Sequence, residues 1–357
     1  MRGEGNEAVT AKPTISDVAA RAGVSKGAVS FALNDRPGVS SETKARILLA
    51  VEELGFRPSH TARALSSSRT FALGLVLARQ PEMLRADPFF PAFIAGVEEV
   101  LAPAGMSLML RFVTGHGAEK AAYTELAHGR ADGVIVTDIR NHDPRPALLS
   151  RLSLPAVTLN RATKQSRIPA VCLDDAPGVR EAVHHLITLG HRHIAHVGGP
   201  GEYRHVDNRR REWSDVLAAA ALPPGTFVEA DFTAAGGARA TAALLDSSAP
   251  PTAILYASDL MAVAGMAEAH RRGLSIPSDL SIVGFDDAEL SAHLHPPLTT
   301  VRTDPFGWGR AAATTLLSQL AGERPADVHL PAAVFVLRGS TAPPPWTSII
   351  TNNGHHN

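Results

Sequence analysis

The sequence predicts two unlike parts: a small all-α head, then a larger α/β body of two doubly wound subdomains. Three observations carry this. Residues 14–54 hold three short amphipathic helical stretches, broken at Gly23 and before Ser40. Past the linker Ser66-Ser67-Ser68, short apolar runs alternate with helical stretches as far as residue 320. At 357 residues the chain is long enough for two or three domains.

In the head, Ile15, Val18, Ala19 and Ala22 fall on one face of a first helix. Thr14 caps it, with Asp17 three residues on as the capping-box partner. Gly23 ends it, as a residue tolerant of positive φ should. Ser25 caps a second helix, 26–33, with Val24, Val29, Ala32 and Leu33 turned inward. Two helices joined by so tight a glycine-containing turn read as helix-turn-helix. A third helix runs from a Ser40 cap to Leu54, burying Ile47, Leu48, Val51 and Leu54, and Gly55 stops it.

The body alternates in pattern. Strands are expected at 72–78, 106–112, 133–137, 156–160, 170–174, 193–198, 253–257 and 281–285. Helices are expected at 91–104, 117–128, 176–189, 208–221, 235–246, 260–272 and 306–320. Short buried strands alternating with helices imply parallel sheets covered on both faces. So many strands suit two sheets better than one. Ligands of such sheets bind beyond the strands' carboxyl ends, so two facing sheets make a cleft.

Charge divides the same way. Residues 1–70 carry ten Lys/Arg and seven Asp/Glu, a net of +3, and the remainder carries −4. A basic head on an acidic body suits a nucleic-acid-binding module on a larger domain. The head is only mildly basic, so two copies are needed for useful affinity. The lone cysteine, Cys172, lies in the apolar run Ala170-Val171-Cys172-Leu173 and reads as a buried strand residue. No apolar run reaches the ~18 residues of a membrane helix, and the N-terminus has no apolar signal core. A cytoplasmic protein is expected, with no metal, no cofactor and no membrane contact.

The head resembles the N-terminus of the lactose-repressor (LacI/GalR) family of bacterial transcription factors. The matching residues are Ile15-Ser16-Asp17-Val18-Ala19, Ala22-Gly23-Val24-Ser25, Ala28-Val29-Ser30, Leu33-Asn34, Val39-Ser40, Leu54-Gly55-Phe56-Arg57-Pro58 and Ala62-Arg63-Ala64-Leu65. In the body the resemblance continues through Gly190-His191, Ala257-Ser258-Asp259, the run from Ile276 to Asp287, Pro297 to Val301, and Arg338-Gly339-Ser340-Thr341. It covers about residues 14–341. It implies a helix-turn-helix DNA-binding domain at 14–58 and a hinge helix with linker at 59–70. It implies a periplasmic-binding-protein-like effector domain beyond them. The N-subdomain would be 71–173 with 303–330, and the C-subdomain 174–302 with 331–341. Residues 1–13 read as disordered, and 342–357 as a tail that is disordered after Pro343.

Groove geometry gives the second helix to the major groove. Lys26 is the best direct reader of a guanine edge, with a phosphate contact as its other role. Gly27 has no side chain to read with, and Ala28 can touch a thymine methyl. Ser25, Ser30 and Asn34 suit phosphates, which set register. Phe31 stands where many family members have arginine, which makes base reading leaner. By the resemblance, Leu65 wedges into the minor groove. Arg63 reads that groove or holds phosphate, and Ser59 caps the hinge helix in place of asparagine.

For the cleft, the resemblance points to Phe89 and Phe90 as the effector-stacking pair and to Arg209, nine residues after Pro200, as the main polar contact. A guanidinium fork can hold two hydroxyls in one plane. Arg210 and Arg211 adjoin it. Asp138 ends a strand, as an acceptor of ligand hydroxyls or a loop carboxylate. Arg161 faces ligand or bridges subdomains. Tyr203 and His205 would cover the ligand, and Phe232 matches a pocket aromatic. Ser258 is a ligand contact, while Asp259 caps the following helix. Asp286 faces Arg209 across the cleft. These groups suit a sugar; a purine or nucleoside also fits.

An enzyme is disfavoured. Pro200 removes an N–H from the Gly-Gly-Pro-Gly turn at 198–201, and no GxGxxG, Walker lysine or HExxH appears. A free transport-type sugar binder is disfavoured by the head. The expected protein is a homodimeric repressor bound to operator DNA and controlled by a small polar effector, most plainly a sugar. An effector-independent regulator or an activator is the alternative.

Overall fold

The computed structural model describes residues 12–33, 36–57, 69–79 and 87–345. The expectations for Asn34, Ser59, Arg63 and Leu65 lie outside them, as do those for residues 1–11 and 346–357. The chain divides into two compact units, Met1–Arg69 and Thr70–Asn357.

The head contains α1 (Ile15–Ala22), α2 (Lys26–Leu33) and α3 (Ser41–Leu54). Asp17 accepts hydrogen bonds from the Thr14 N–H and hydroxyl, both at 2.8 Å. Gly23 ends α1 at φ 65°, and the Val24 N–H reaches back to the Ala19 carbonyl. Ser25 and Ser40 accept from the N–H groups of Ala28 and Thr43, which satisfies otherwise orphaned helix-start donors. Val18, Val29 and Ile47 are fully buried at the centre of the head. One expectation is corrected. Leu48 is 46% exposed, and Ala50 takes its place in the core. The spacing Ile47, Ala50, Leu54 is the stripe that meets α1 and α2; Leu48 sits a quarter-turn round from it.

The body has a six-stranded sheet in the order β11-β5-β4-β3-β1-β2 and a four-stranded sheet in the order β7-β6-β8-β9. Their strands are β1 (Ala72–Leu77), β2 (Ser107–Phe112), β3 (Gly133–Val136), β4 (Ala156–Leu159), β5 (Ala170–Cys172), β6 (Ile194–Gly198), β7 (Phe227–Glu229), β8 (Ala253–Tyr256), β9 (Ser281–Val283) and β11 (Val328–His329). Every pairing within these two sheets is parallel. β10 (Thr300–Arg302) and β12 (Val334–Val336) make an antiparallel ribbon. The chain passes from one sheet to the other after β5 and returns after β10; it crosses once more after β11.

Alternation along the strands builds the layers. Leu73, Leu75 and Leu77 face α4 (Phe89–Leu101) and α11 (Pro305–Leu320), while Val76 faces α5 (Gly115–Ala127) and α6 (Arg145–Arg151). On the other sheet, Ile254 and Tyr256 face α9 (Ala234–Leu245) and α10 (Asp259–Arg271). Ala253 and Leu255 face α7 (Ala176–Thr188) and α8 (Arg204–Ala219). The doubly wound expectation therefore holds in both sheets. The short elements β7, β10, β11, β12 and α6 were not anticipated. Ala342, the first residue of the tail, is tied to the body: its carbonyl accepts from His191 and Ser281.

α4 and α11 approach closely because two glycines face each other's backbone. A Cβ on Gly96 would lie 2.0 Å from the Phe306 carbonyl oxygen, and one on Gly309 would lie 2.1 Å from that of Phe93. Gly309→Ala is expected to cost about 1–3 kcal/mol by forcing the helices apart. A thermal melt of the body unchanged by that substitution would contradict this packing. In the head, Ile47→Ala should cost about 2–5 kcal/mol and Leu48→Ala less than about 0.5 kcal/mol. Hydrogen exchange of the α3 amides reads the difference.

Candidate functional site

The carboxyl ends of both sheets open on one cavity. From the six-stranded side come Arg79 after β1, Asp138 after β3 and Asn160 after β4. Phe89 and Phe90, at the start of α4, and Trp308, in α11, line the same side. From the four-stranded side come Phe232 after β7, Ser258 after β8 and Asp286 after β9. His205 and Arg209 reach it from α8.

Its backbone is strained where it turns into the cavity. Asp138 (φ 51°), Asn160 (66°), Phe232 (61°) and Asp286 (113°) all have positive φ, though none is glycine. Such residues cost on the order of 1–3 kcal/mol each and concentrate at functional sites. Phe232 is accommodated by Gly199, where a Cβ would lie 2.1 Å from the phenyl ring.

The charges are set in a low-dielectric space. Arg79 donates from Nε (2.8 Å) and Nη2 (2.6 Å) to the two oxygens of Asp138. Burial opposes both charges, and the pairing outweighs it: Asp138 is held below the usual carboxylate range and Arg79 above its ordinary value. The same guanidinium lies 4.9 Å from the Phe232 ring centre, 5.3 Å from Phe90 and 5.5 Å from Tyr203. Arg209 donates to Asp175 at 2.6 Å and to the Ala257 carbonyl, and stacks 3.5 Å over Phe285. Asp286 reaches the cavity and makes no side-chain hydrogen bond among the described residues. Burial, then Asp87 and Asp259, push its carboxyl well above the usual range, against the pull of Arg209. Burial, helped by Arg209, pushes His205 down to about 3, so this imidazole is neutral.

The comparisons bear on both units. The profile of bacterial regulatory proteins of the lacI family matches residues 14–59, and that of the periplasmic binding protein-like domain matches 183–341. The HTH-type transcriptional regulator CelR of Thermobifida fusca is 32% identical, over 89% of this chain and 95% of that one. The chain belongs to the LacI family. Among solved structures, a lac repressor dimer bound to operator and the anti-inducer ONPF matches with a TM-score of 0.81 at 28% identity, covering 93% of this chain and 100% of that one. A CelR–cellobiose complex matches at 0.69 and 30% identity, covering 92% and 99%.

This LacI-family regulator gathers Phe89, Phe90, Asp138, His205, Arg209, Phe232, Ser258 and Asp286 around one cavity. Tyr203 stands behind it, stacked on His205 at 5.7 Å. Arg161 lines not this cavity but the one that adjoins it, and there it pairs with Asp327 and donates to the Ser166 carbonyl. Asp138 lines the cavity with one hydrogen bond from Arg79 on each oxygen, which leaves each oxygen a second acceptor site. The helix cap is also corrected. Ser258 accepts from the Met261 N–H, while buried Asp259 accepts from Ser291, Thr300 and the Ala288 N–H. Arg79 and Trp308 were not singled out from sequence. One basic residue after an apolar run has the same pattern as a solvated loop residue.

On the head, Ser25, Lys26, Gly27 and Phe31 are exposed, and Ala28 and Ser30 are half-buried. The Phe31 ring leans on the turn at Gly38, where a Cβ would lie 3.4 Å away.

Asp286 yields a stability prediction. Its carboxyl prefers the proton in the folded state, so stability is lost as pH rises from the ordinary carboxylate range through its elevated pKa. Asp286→Asn should stabilise the body at neutral pH by about 1–3 kcal/mol, with the gain fading in acid. Melts at pH 4 and 7 that show the same difference would contradict this. Arg79→Ala should cost about 3–5 kcal/mol by stranding Asp138, and the Arg79→Ala, Asp138→Ala pair less.

Proposed function

We propose that the chain is a transcriptional repressor that binds a near-palindromic operator as a homodimer and is controlled by a sugar held between its two lobes. The observation that carries this is one cavity at the carboxyl ends of two parallel sheets, lined by aromatic rings, arginines and an unpartnered carboxyl. It occurs on the same chain as an exposed helix-turn-helix. Solved relatives support both halves, one holding cellobiose and another bound to operator.

In this reading Lys26 and Ala28 meet base edges while Ser25, Ser30 and Asn34 hold phosphates. Two heads double the contacts of a mildly basic module. Sugar hydroxyls bridge Arg209 on α8 and Asp286 after β9, and the apolar ring face lies on Phe89 and Trp308. Arg79 already covers Phe90 and Phe232, so the apolar contact falls to Phe89 and Trp308. The lobes are 71–173 with 303–330, and 174–302 with 331–341. The sugar must bind their two arrangements unequally, by about 1–3 kcal/mol, to change operator affinity.

Arg209→Ala is a poor probe, because it strands Asp175 in the interior. Asp286→Asn keeps size and removes the carboxylate. Fluorescence anisotropy on operator DNA should give this variant parental affinity without sugar and no response to cellobiose or maltose. A parental response would sink the proposed clamp. Leu65→Ala should lose operator binding far more than binding to random DNA. Equal losses on the two DNAs would leave Leu65 as plain linker.

A further inference from the structure

We propose that residues 139–141 and 202–204 form a clasp, a non-covalent tie between the two lobes that opens and closes as one unit beside the cleft. Two of the three covalent crossings leave the six-stranded sheet from β5 and β11, neighbours at one edge. The clasp follows β3, two strands further in. There the lobes share backbone hydrogen bonds. The Asn141 N–H donates to the Glu202 carbonyl and the Arg204 N–H to the Ile139 carbonyl, both at 2.9 Å. Arg140 and Tyr203 thereby pair as antiparallel strand residues. One more bond crosses between the lobes, from the Arg204 guanidinium to the Ala162 carbonyl.

Each half is built for this contact. On the first lobe, Asp138 (φ 51°) and His142 (φ 58°) bracket the three residues with positive φ. Two such costly turns so close together fix the course of the short segment between them. The segment is also braced: the Arg140 guanidinium donates to both Glu119 oxygens (2.7 and 3.1 Å), and Arg145 donates to the Asp138 carbonyl at 2.6 Å. On the second lobe, Tyr203 is extended (φ −85°, ψ 130°) and gives α8 no side-chain cap. Arg204 carries the first N–H of that helix, a donor with no acceptor inside it. The Ile139 carbonyl of the other lobe supplies the acceptor.

The clasp acts on the cleft directly. Ile139 and Arg204 are wall residues of the cavity, and α8 carries His205 and Arg209 into it. Parting the clasp opens that wall and frees the start of the helix that presents them. Asn141 and Glu202 are exposed, so water replaces the broken bonds and each contributes little net, which keeps the tie reversible. Glu202 adds a charge: its carboxylate lies 3.6 Å from the Arg140 Nε, which is buried and has no hydrogen bond. A ligand that needs the lobes together finds a larger ready fraction the firmer this clasp is.

Hydrogen exchange on the full chain, read residue by residue, tests this. In the parent, the Asn141 and Arg204 amides should exchange slower than free peptide by about tenfold or more. Glu202→Lys puts a second cation beside Arg140 at an exposed position, and both amides should speed up together by about threefold. The Leu148 amide, which donates to Pro144 within the first lobe, should not change. Asn141→Cys with Glu202→Cys places two thiols on facing residues about 5.5 Å apart at Cα, within reach of a disulfide. Oxidation should close that bond and slow the Arg204 amide by about tenfold, and a reductant should reverse it. Parental amides as fast as free peptide, one amide responding to Glu202→Lys without the other, no response at all, an equal change at Leu148, or a cysteine pair that stays reduced overturns the clasp. None of these outcomes bears on which ligand the cleft holds.

Discussion

Charge carried into the cleft must be matched there, and this constraint arranges the rest of the site. A lone ion in a low-dielectric interior costs several kcal/mol. Arg79 is balanced by Asp138 on one lobe, and Arg209 by Asp175 on the other. With both guanidinium groups neutralised locally, Asp286 and Asp87 remain on the cavity wall with raised pKa values and no cation of their own. The cavity thus keeps two carboxyls that no side-chain cation neutralises.

The scaffold makes this matching possible because parallel strands end together. Side chains just past β1, β3, β4, β7, β8 and β9 converge although they are far apart in sequence. Turning the chain sharply at those ends forces Asp138, Asn160, Phe232 and Asp286 into left-handed or otherwise strained backbone. The apolar layers on both faces of each sheet hold them there.

What the sequence made legible follows from the range of each signal. Runs such as Leu73 to Leu77 are buried on both faces and stand out as apolar blocks. β11 has two residues and β12 three; they are strands only because of the partners they meet. In α3, Leu48 and Ala50 are distinguished by a rotation that depends on where α1 and α2 pack, which hydrophobicity alone favours wrongly. Phe89, Arg209 and Asp286 were readable from an ordered motif. Arg79 was not, because its role exists only through Asp138, 59 residues away in the chain. The same distance effect hid the partner of Arg161, Asp327, which lies 166 positions on.

Cys172 closes β5 immediately before the chain passes to the other lobe, and its carbonyl accepts from Leu330 at the third crossing. It is the chain's single cysteine, half-buried, and burial raises its thiol pKa. Thiolate formation and access govern how fast a maleimide or disulfide reagent attacks. Any label therefore lands at one known point, beside the strands that link the lobes. Its rate of attachment becomes a built-in clock for how often that junction loosens, with no engineered residue required.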